Sequence, residues 1–275
     1  MDKKYTKWLH WDITRKCNFN CEYCFYQSGK GGIERGCIDI PLLIKKLRDA
    51  GEKYRIGFTG GEPFLAENFV ELCEGLTTEG HTISINTNLS LDKIEDFCSR
   101  IKPEMVKFVH ASFHYRELRA KNKLGQYFGN YKRLVENSFP VYAEMVLYPG
   151  DFELIEEIKG IFNKYDVKLK AAPFIGYYNN LWYPDSYSDA EKKKYGINED
   201  QLEIYSQRGE ICNAGYNVAI VDTDGDVRAC FNSSEKMGNI YEGINWRTEP
   251  IICQHKKCGC PMNVLDKSLN DFFWR

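Results

Sequence analysis

Three cysteines, Cys17, Cys21 and Cys24, stand in the run Arg15-Lys16-Cys17-Asn18-Phe19-Asn20-Cys21-Glu22-Tyr23-Cys24, spaced by three and then two residues. Thiolates hold iron–sulfur clusters, which as a rule take four ligands, so three in one tight loop leave one iron without a protein sulfur. An iron with an open position binds a small molecule, as an open position does at a catalytic metal site. The competing reading is structural zinc with a fourth ligand elsewhere, or a set of redox thiols. A second group, Cys212, Cys230, Cys253, Cys258 and Cys260, occupies the C-terminal part of the chain. Five cysteines suffice for one further cluster, and structural zinc is again the alternative.

The triad follows a strand-like segment, Trp8-Leu9-His10-Trp11-Asp12-Ile13-Thr14. The next such segment, Tyr54-Arg55-Ile56-Gly57-Phe58-Thr59, runs straight into Gly60-Gly61-Glu62-Pro63. Paired glycines allow close backbone approach, and Glu62 offers an anion to an ammonium group. Together these elements resemble the C-x-x-x-C-x-x-C loop and the G-G-E-P element of the radical S-adenosylmethionine (SAM) enzymes. The resemblance implies a [4Fe–4S] cluster on Cys17, Cys21 and Cys24 whose free iron chelates the amino and carboxylate groups of SAM. Electron transfer then cleaves SAM to a 5′-deoxyadenosyl radical. The resemblance further implies that Gly60, Gly61, Glu62 and Pro63 receive the SAM amino group, and that Tyr23 lies near the adenine. Ser112, His114 and Glu144 fall towards strand ends, where the family contacts the ribose and methionyl carboxylate; His110, Asn88 and Tyr142 are alternatives.

The C-terminal segment carries Cys212-Asn213-Ala214-Gly215, two short strand-like stretches around Asp224-Gly225, then Cys230 and Gly238-Asn239-Ile240. The Asp-Gly turn predicts a β-hairpin with Cys212 and Cys230 towards its ends. This arrangement resembles the family's SPASM extension in its short form, called twitch. It implies one auxiliary [4Fe–4S] cluster on Cys212 and Cys230, with Cys258 and Cys260 as the remaining ligands and Cys253 the alternate or spare. The tail departs from the usual short-form spacing, with gaps of four and one residues.

Strand-like and helix-like segments alternate through the first two hundred residues or so, the sign of βα units on a parallel sheet. Helices are predicted near 41–50, 64–78, 91–101, 116–136 and 151–164, and strands near 7–14, 54–59, 82–87, 105–114, 141–148 and 167–174. Six units are too few for an eight-stranded barrel and match the partial (β/α)6 TIM-type barrel of the family. The expected fold is therefore α/β: a barrel over 1–205, then a small cysteine-rich twitch-like domain over 206–275. The period of two along each strand puts His10, Asp12 and Thr14 on one face, as it does Ser84, Asn86 and Asn88, then His110, Ser112 and His114, then Tyr142, Glu144 and Tyr148. Fully buried barrel strands read as continuous apolar runs. Four strands with one polar face predict a wet interior, against the alternative of polar groups that merely satisfy one another.

The 275 residues carry a formal net charge of −2, so no global electrostatic footprint points to nucleic acid. No apolar run reaches membrane-spanning length and no signal-peptide pattern opens the chain, so a cytoplasmic location is expected. Cys73 and Cys98 accompany apolar residues at helical spacing and read as small core side chains. Cys37 stands unassigned. Gly29-Lys30-Gly31-Gly32 lacks the order of a phosphate-binding loop and reads as a mobile one.

The expected partners are a small-molecule substrate and an electron donor such as flavodoxin or ferredoxin. The favoured substrate is small and polar (a sugar, aminocyclitol or nucleotide sugar), to be oxidised, epimerised or dehydrated. The early triad, with no room for a peptide-recognition domain before it, points the same way. So does the aromatic stretch from Phe174 to Tyr187, because amphipathic rings suit polar rings with apolar faces. A packed connecting loop is its alternative. Modification of a partner-presented peptide is the second function, and a non-enzymatic cluster scaffold the third. Acid, base or hydrogen-donor roles fall to Glu144, His114, His110, Lys170 and an unligated Cys253.

Overall fold

The computed structural model describes residues 6–25, 38–198 and 208–255. Six strands, β1 (Lys7–Thr14), β2 (Tyr54–Gly60), β3 (Thr82–Thr87), β4 (Val106–Ser112), β5 (Val141–Leu147) and β6 (Leu169–Pro173), lie side by side in chain order. All five pairings are parallel, so every strand delivers its C-terminal end, and the loop after it, to the same edge. Helices α1 (Ile40–Asp49), α2 (Phe69–Thr78), α3 (Ile94–Arg100), α4 (Tyr115–Ala120), α5 (Leu124–Glu136) and α6 (Ile155–Lys164) form the crossovers. This is the α/β partial barrel that the alternation predicts.

One face of each strand packs under the helices. Leu9, Trp11, Ile56, Phe58, Ile83, Ile85, Val109 and Ala143 share a continuous core with Leu43, Leu72, Phe97, Tyr127 and Ile158 from the helices. Each fully buried side chain of this size contributes about 1.5–3 kcal/mol, so register is strongly specified: slipping a strand by one residue would turn its apolar set inward. The other face carries His10, Ser84, His110, Tyr142, Glu144 and Lys170 into the concave interior, outside that core.

Several boundaries differ from the predicted ones for local reasons. The 116–136 helix is two helices, broken where Asn122 turns left-handed at φ 54. The 64–78 helix starts only at Phe69, behind a 3-10 turn over Pro63–Leu65 and a left-handed Asn68. β4 stops at Ser112, which leaves His114 off the strand, at the N-terminal cap of α4. The aromatic stretch is a hairpin, β7 (Gly176–Tyr178) against β8 (Leu181–Tyr183), and Asn179-Asn180 supplies the two positive φ angles its tight turn needs.

After α7 (Asp189–Tyr195), the Asp-Gly hairpin forms as predicted: β10 (Val218–Val221) against β11 (Asp226–Arg228), with Gly225 at φ 80 and Asp222 Oδ1 accepting from the Asp224 and Asp226 N–H groups. It does not stand apart from the barrel. β10 pairs in parallel with β1, from Trp8↔Val218 to Trp11↔Val221, and β12 (Lys236–Asn239) and β13 (Gly243–Ile244) continue the same ten-stranded sheet beyond β11. A short ribbon of β9 (Ile211–Cys212) and β14 (Ile251–Ile252) completes the described chain. No described helix is long and apolar enough to cross a membrane.

Candidate active site

The loops after β1, β2 and β3 meet at the C-terminal edge. Gly61 N–H donates to the Thr14 carbonyl at 2.7 Å and Glu62 N–H to the Lys16 carbonyl at 2.8 Å, so the Gly-Gly-Glu segment extends the β1–β2 pairing up to the residue before Cys17. The glycines are needed for that approach: a Cβ on Gly60 would strike the Thr14 carbonyl oxygen, and one on Gly61 the Lys16 carbonyl oxygen. The close backbone approach made possible by Gly60 and Gly61 is thus to the chain's own cysteine loop. Gly61→Ala is expected to cost about 1–3 kcal/mol, the usual penalty of overpacking, with a matching drop in melting temperature. An unchanged melting temperature would contradict this packing.

Glu62 is 1% exposed, and both its oxygens are engaged. Thr87 Oγ1 donates to Oε1 at 2.8 Å, Asn88 N–H to Oε2 at 2.7 Å and Phe64 N–H to Oε1 at 3.2 Å. The side chain therefore staples the β2 loop to the β3 loop, and the groups of this element left for a ligand are backbone. Pro63, buried behind it, opens the 3-10 turn.

Burial pushes the Glu62 carboxyl up to about 7, against the three donors, which favour the anion. A folded value above the unfolded value of about 4.3 fixes the sign. Its contribution to stability is complete below the unfolded value and is lost as pH rises through the folded one. Relative to Glu62→Gln, the native chain should lose on the order of 3–4 kcal/mol between pH 4 and 8. A pH-independent difference in chemical-denaturation stability would refute it.

Cys17, Cys21 and Cys24 are all partly buried on the β1 loop. Cys24 N–H donates to the Cys21 carbonyl at 3.1 Å, and Cys17 Sγ accepts from Phe19 N–H at 3.4 Å. Burial first, then Glu117, Cys17 and Cys24, push the Cys21 thiol far up. Two sulfurs close enough to oppose ionisation of the Cys21 thiol form with it a donor set that a cationic iron–sulfur centre would relieve, so the residues fit such a group. Among the described residues, no three His, Cys, Asp or Glu side chains converge on the position of a single metal ion.

Tyr23 is taken up by protein contacts: its hydroxyl lies 2.9 Å from His114 Nδ1, and its ring packs on Tyr148, centroids 5.1 Å apart. Phe19 meets His114 edge-on. Burial, with His110 second, brings the His114 imidazole down to about 4, so it serves as a neutral partner of the cysteine loop. Tyr148 also packs on Tyr178 of the β7–β8 hairpin, centroids 5.2 Å apart, which links the hairpin to that loop. The aromatic stretch divides its labour. Phe174, Tyr183 and Tyr187 are buried, with the Tyr187 hydroxyl bridging Phe174 N–H and the Leu147 carbonyl, whereas Tyr177 is 72% exposed.

Deeper in the interior, β4, β5 and β6 bring three predicted residues together. His110 Nε2 lies 3.3 Å from Glu144 Oε1, and Lys170 is the register partner of Glu144. The Lys170 ammonium sits 4.6 Å from the Tyr142 ring centroid, and His110 stacks on Tyr142 at 4.9 Å. Burial disfavours the Glu144 carboxylate, but His110 and Lys170 more than offset it, and the carboxyl lies below its ordinary value. Burial lowers the Lys170 ammonium, opposed by Glu144. Ser112 is level with Glu144 in the β4–β5 register.

Below this group lies a layer absent from the sequence-based site. Arg55, 2% exposed, holds its guanidinium 5.0 Å from the Trp8 ring and 5.1 Å from the Phe108 ring, and Phe108 meets Tyr142. A charged residue in phase with Gly57 and Thr59, opposite Ile56 and Phe58, was the available signal. Asn88, an alternative ligand contact, has its side chain engaged by Asn18 and Ser90.

The other cysteines lie at the far end of β1. Ala214 bridges to Val218, the partner of Trp8, two residues after Cys212; Cys230 follows Arg228, the partner of Ile220. Cys253, 5% exposed, donates its N–H to the Glu210 carbonyl beside Cys212 on the β9–β14 ribbon. Cys258, Cys260 and Cys37 lie outside the described residues, as does Gly29–Gly32. A cleft of about 530 Å³ opens on the outer side of β1, between Trp11, Asp39, Glu67 and Asp224, and none of the candidate residues lines it.

Residues 11–163 match the family model described as the Radical SAM superfamily. A protein of Methanocaldococcus jannaschii named as a glycyl-radical enzyme activating enzyme is 26% identical over 182 residues, 62% of this chain and 68% of that protein. The GTP 3′,8-cyclase of Haemophilus ducreyi is 37% identical over 93 residues, 31% of this chain but only 26% of the cyclase. A solved structure of native anSMEcpe with bound S-adenosylmethionine and the Cp18Cys peptide shares the fold, with a TM-score of 0.59 and 19% identity over 86% of this chain and 78% of that one.

Proposed function

The chain belongs to the radical SAM superfamily, enzymes that use a [4Fe–4S] cluster and SAM, and we propose that it directs the resulting radical at a small polar substrate held inside the partial barrel. Cys17, Cys21 and Cys24 would hold the cluster. The Gly60–Glu62 backbone, Tyr23 and Ser112 are the proposed groups around SAM. When bound, the cluster supplies the electron that cleaves SAM to the radical that abstracts a hydrogen atom.

The observation that carries the substrate reading is the Glu144–His110–Lys170 group above the Trp8–Arg55–Phe108 layer. That layer closes the lower interior with buried side chains, so the polar group sits between it and the cysteine edge. An ionised Glu144 backed by His110 accepts a proton from a substrate hydroxyl or ammonium, and Lys170 pairs with an anionic or carbonyl oxygen. Oxidation and dehydration need such proton traffic beside the radical carbon, whereas epimerisation needs a hydrogen-atom donor. The similarity to a GTP cyclase supports a nucleotide-like substrate within this class. Cys212, Cys230, Cys258 and Cys260, or Cys253 in place of one, are the proposed ligands of an auxiliary twitch-type cluster. Of these, Cys212 and Cys230 lie towards the N-terminal end of β1, opposite the triad. Flavodoxin or ferredoxin is the proposed donor, in the cytoplasm.

A second reading, peptide modification, draws on the exposed Phe25 beside Cys24 and on Tyr177 and Leu181 at the hairpin tip, 77%, 72% and 53% exposed, a rim suited to a docked chain. Deuterated candidates of both classes separate the two. Deuterium passing into 5′-deoxyadenosine from a sugar or nucleotide, and from no peptide, supports the first; transfer from peptides alone overturns it.

A further inference from the structure

The cysteine loop is tied to the end of β3 by side chains. Asn18 Nδ2 donates to Ser90 Oγ at 2.7 Å, and Asn18 Oδ1 accepts from Asn88 Nδ2 at 2.9 Å. Asn18 stands between Cys17 and Cys21, so both ends of its amide fix the segment that separates two of the three thiols. Its partners are themselves held. Asn88 Oδ1 accepts from the Ser90 hydroxyl at 2.6 Å and from Ser90 N–H at 3.0 Å, while Asn88 N–H is bound by Glu62. Asn88 and Ser90 are 4% and 0% exposed.

Between them Leu89 takes a left-handed backbone, φ 51, which a branched side chain adopts only when its surroundings force it. The force is visible. Asn130, 4% exposed on α5, donates through Nδ2 to the Leu89 carbonyl at 2.9 Å and to the Leu91 carbonyl at 2.8 Å. This turn lets two side chains one residue apart from Leu89 reach the same amide. A regular strand would send residues 88 and 90 along one face too, but would carry them away from the edge. Strain concentrated beside a three-thiol loop and held by a buried amide is the pattern of a device that orients a site.

We infer that Asn18, Asn88 and Ser90 form a clasp that presets the spacing of Cys17 and Cys21 for cluster binding, with Asn130 locking the turn that carries the clasp. All four are positioning residues, and the inference rests on the proposed cluster-binding role of the loop. A free loop would have to lose its conformational entropy when the cluster assembles; the clasp removes that cost beforehand. Groups that orient metal ligands typically change affinity by roughly 10- to 100-fold when removed.

The test uses Asn18→Ala, Ser90→Ala and the double variant in the full-length protein, reconstituted anaerobically with iron and sulfide. Each single variant should lose iron to a chelator roughly tenfold faster than the native protein, with a changed electron-paramagnetic-resonance spectrum of the reduced cluster, while the melting temperature of the metal-free chain stays within a few degrees. Because Asn18 and Ser90 share one hydrogen bond, and Asn18→Ala also removes the bond from Asn88, the double variant should lose iron no faster than Asn18→Ala. Native rates and spectra in Asn18→Ala, additive losses, or an effect wholly matched by melting of the metal-free chain would overturn the clasp. If the native protein itself assembles no cluster at this loop, the functional reading fails and the clasp with it. A normal native cluster with unaffected variants removes the clasp alone.

Discussion

Replacing Cys17, Cys21 or Cys24 singly with alanine is expected to reduce 5′-deoxyadenosine formation to the level of reductant and SAM without protein, and to remove about four irons per chain. The effect is all-or-none because the three thiols are the whole protein share of the proposed site. Two thiolates do not hold a cubane against loss to solvent. The barrel should survive each change, since the triad lies on the edge loop and its thiols are only partly buried, Cys17 and Cys21 packing against the margin of the Leu9–Ile56–Ile83 core. Far-ultraviolet circular dichroism should therefore be unchanged while those irons and the product are lost together. Retention of SAM cleavage in any one variant would show that its cysteine is not a ligand.

Glu144→Gln is expected to show the second-largest effect, and a different one. Substrate turnover should fall by roughly 10²- to 10⁴-fold, the range of a lost general base, while uncoupled cleavage of SAM without substrate persists. The reasoning is electrostatic. His110 and Lys170 hold the Glu144 carboxyl below its ordinary value despite burial, so it is ionised at neutral pH and able to take a proton. Glutamine keeps the shape and removes the proton acceptor. His110 then loses its anionic neighbour at 3.3 Å, and Lys170 its register partner. Parallel loss of SAM cleavage and turnover would place Glu144 on SAM, and unchanged turnover would place the chemistry elsewhere.

What could be read from the chain follows the range of the interactions involved. The strands β1 to β6 and their polar inner faces were legible because period-two alternation is local, and His110, Glu144 and Lys170 duly share one interior. The triad and Gly60–Pro63 were legible as chemistry, but their geometry was not. Glu62 reads as an anion offered to an ammonium group, and the structure turns it onto Thr87 and Asn88, because a donor pair 25 and 26 residues away leaves no mark on its own segment. The Asn18–Asn88–Ser90 contacts span 70 and 72 residues and escape notice for the same reason. The Asp-Gly hairpin was visible, yet its attachment to the free edge of β1 depends on which edge the barrel leaves unpaired. His114 left its strand because β4 ends at Ser112, a boundary set by the cap of α4.

Anaerobic purification followed by Mössbauer spectroscopy and addition of SAM with a low-potential reductant tests the central claim most directly. The expected result is a [4Fe–4S] signal of which the share perturbed by SAM disappears on substitution of Cys17, Cys21 or Cys24 while that of the auxiliary cluster stays, accompanied by 5′-deoxyadenosine in the native protein. Zinc or unliganded thiols at that loop, with no 5′-deoxyadenosine formed, would contradict it.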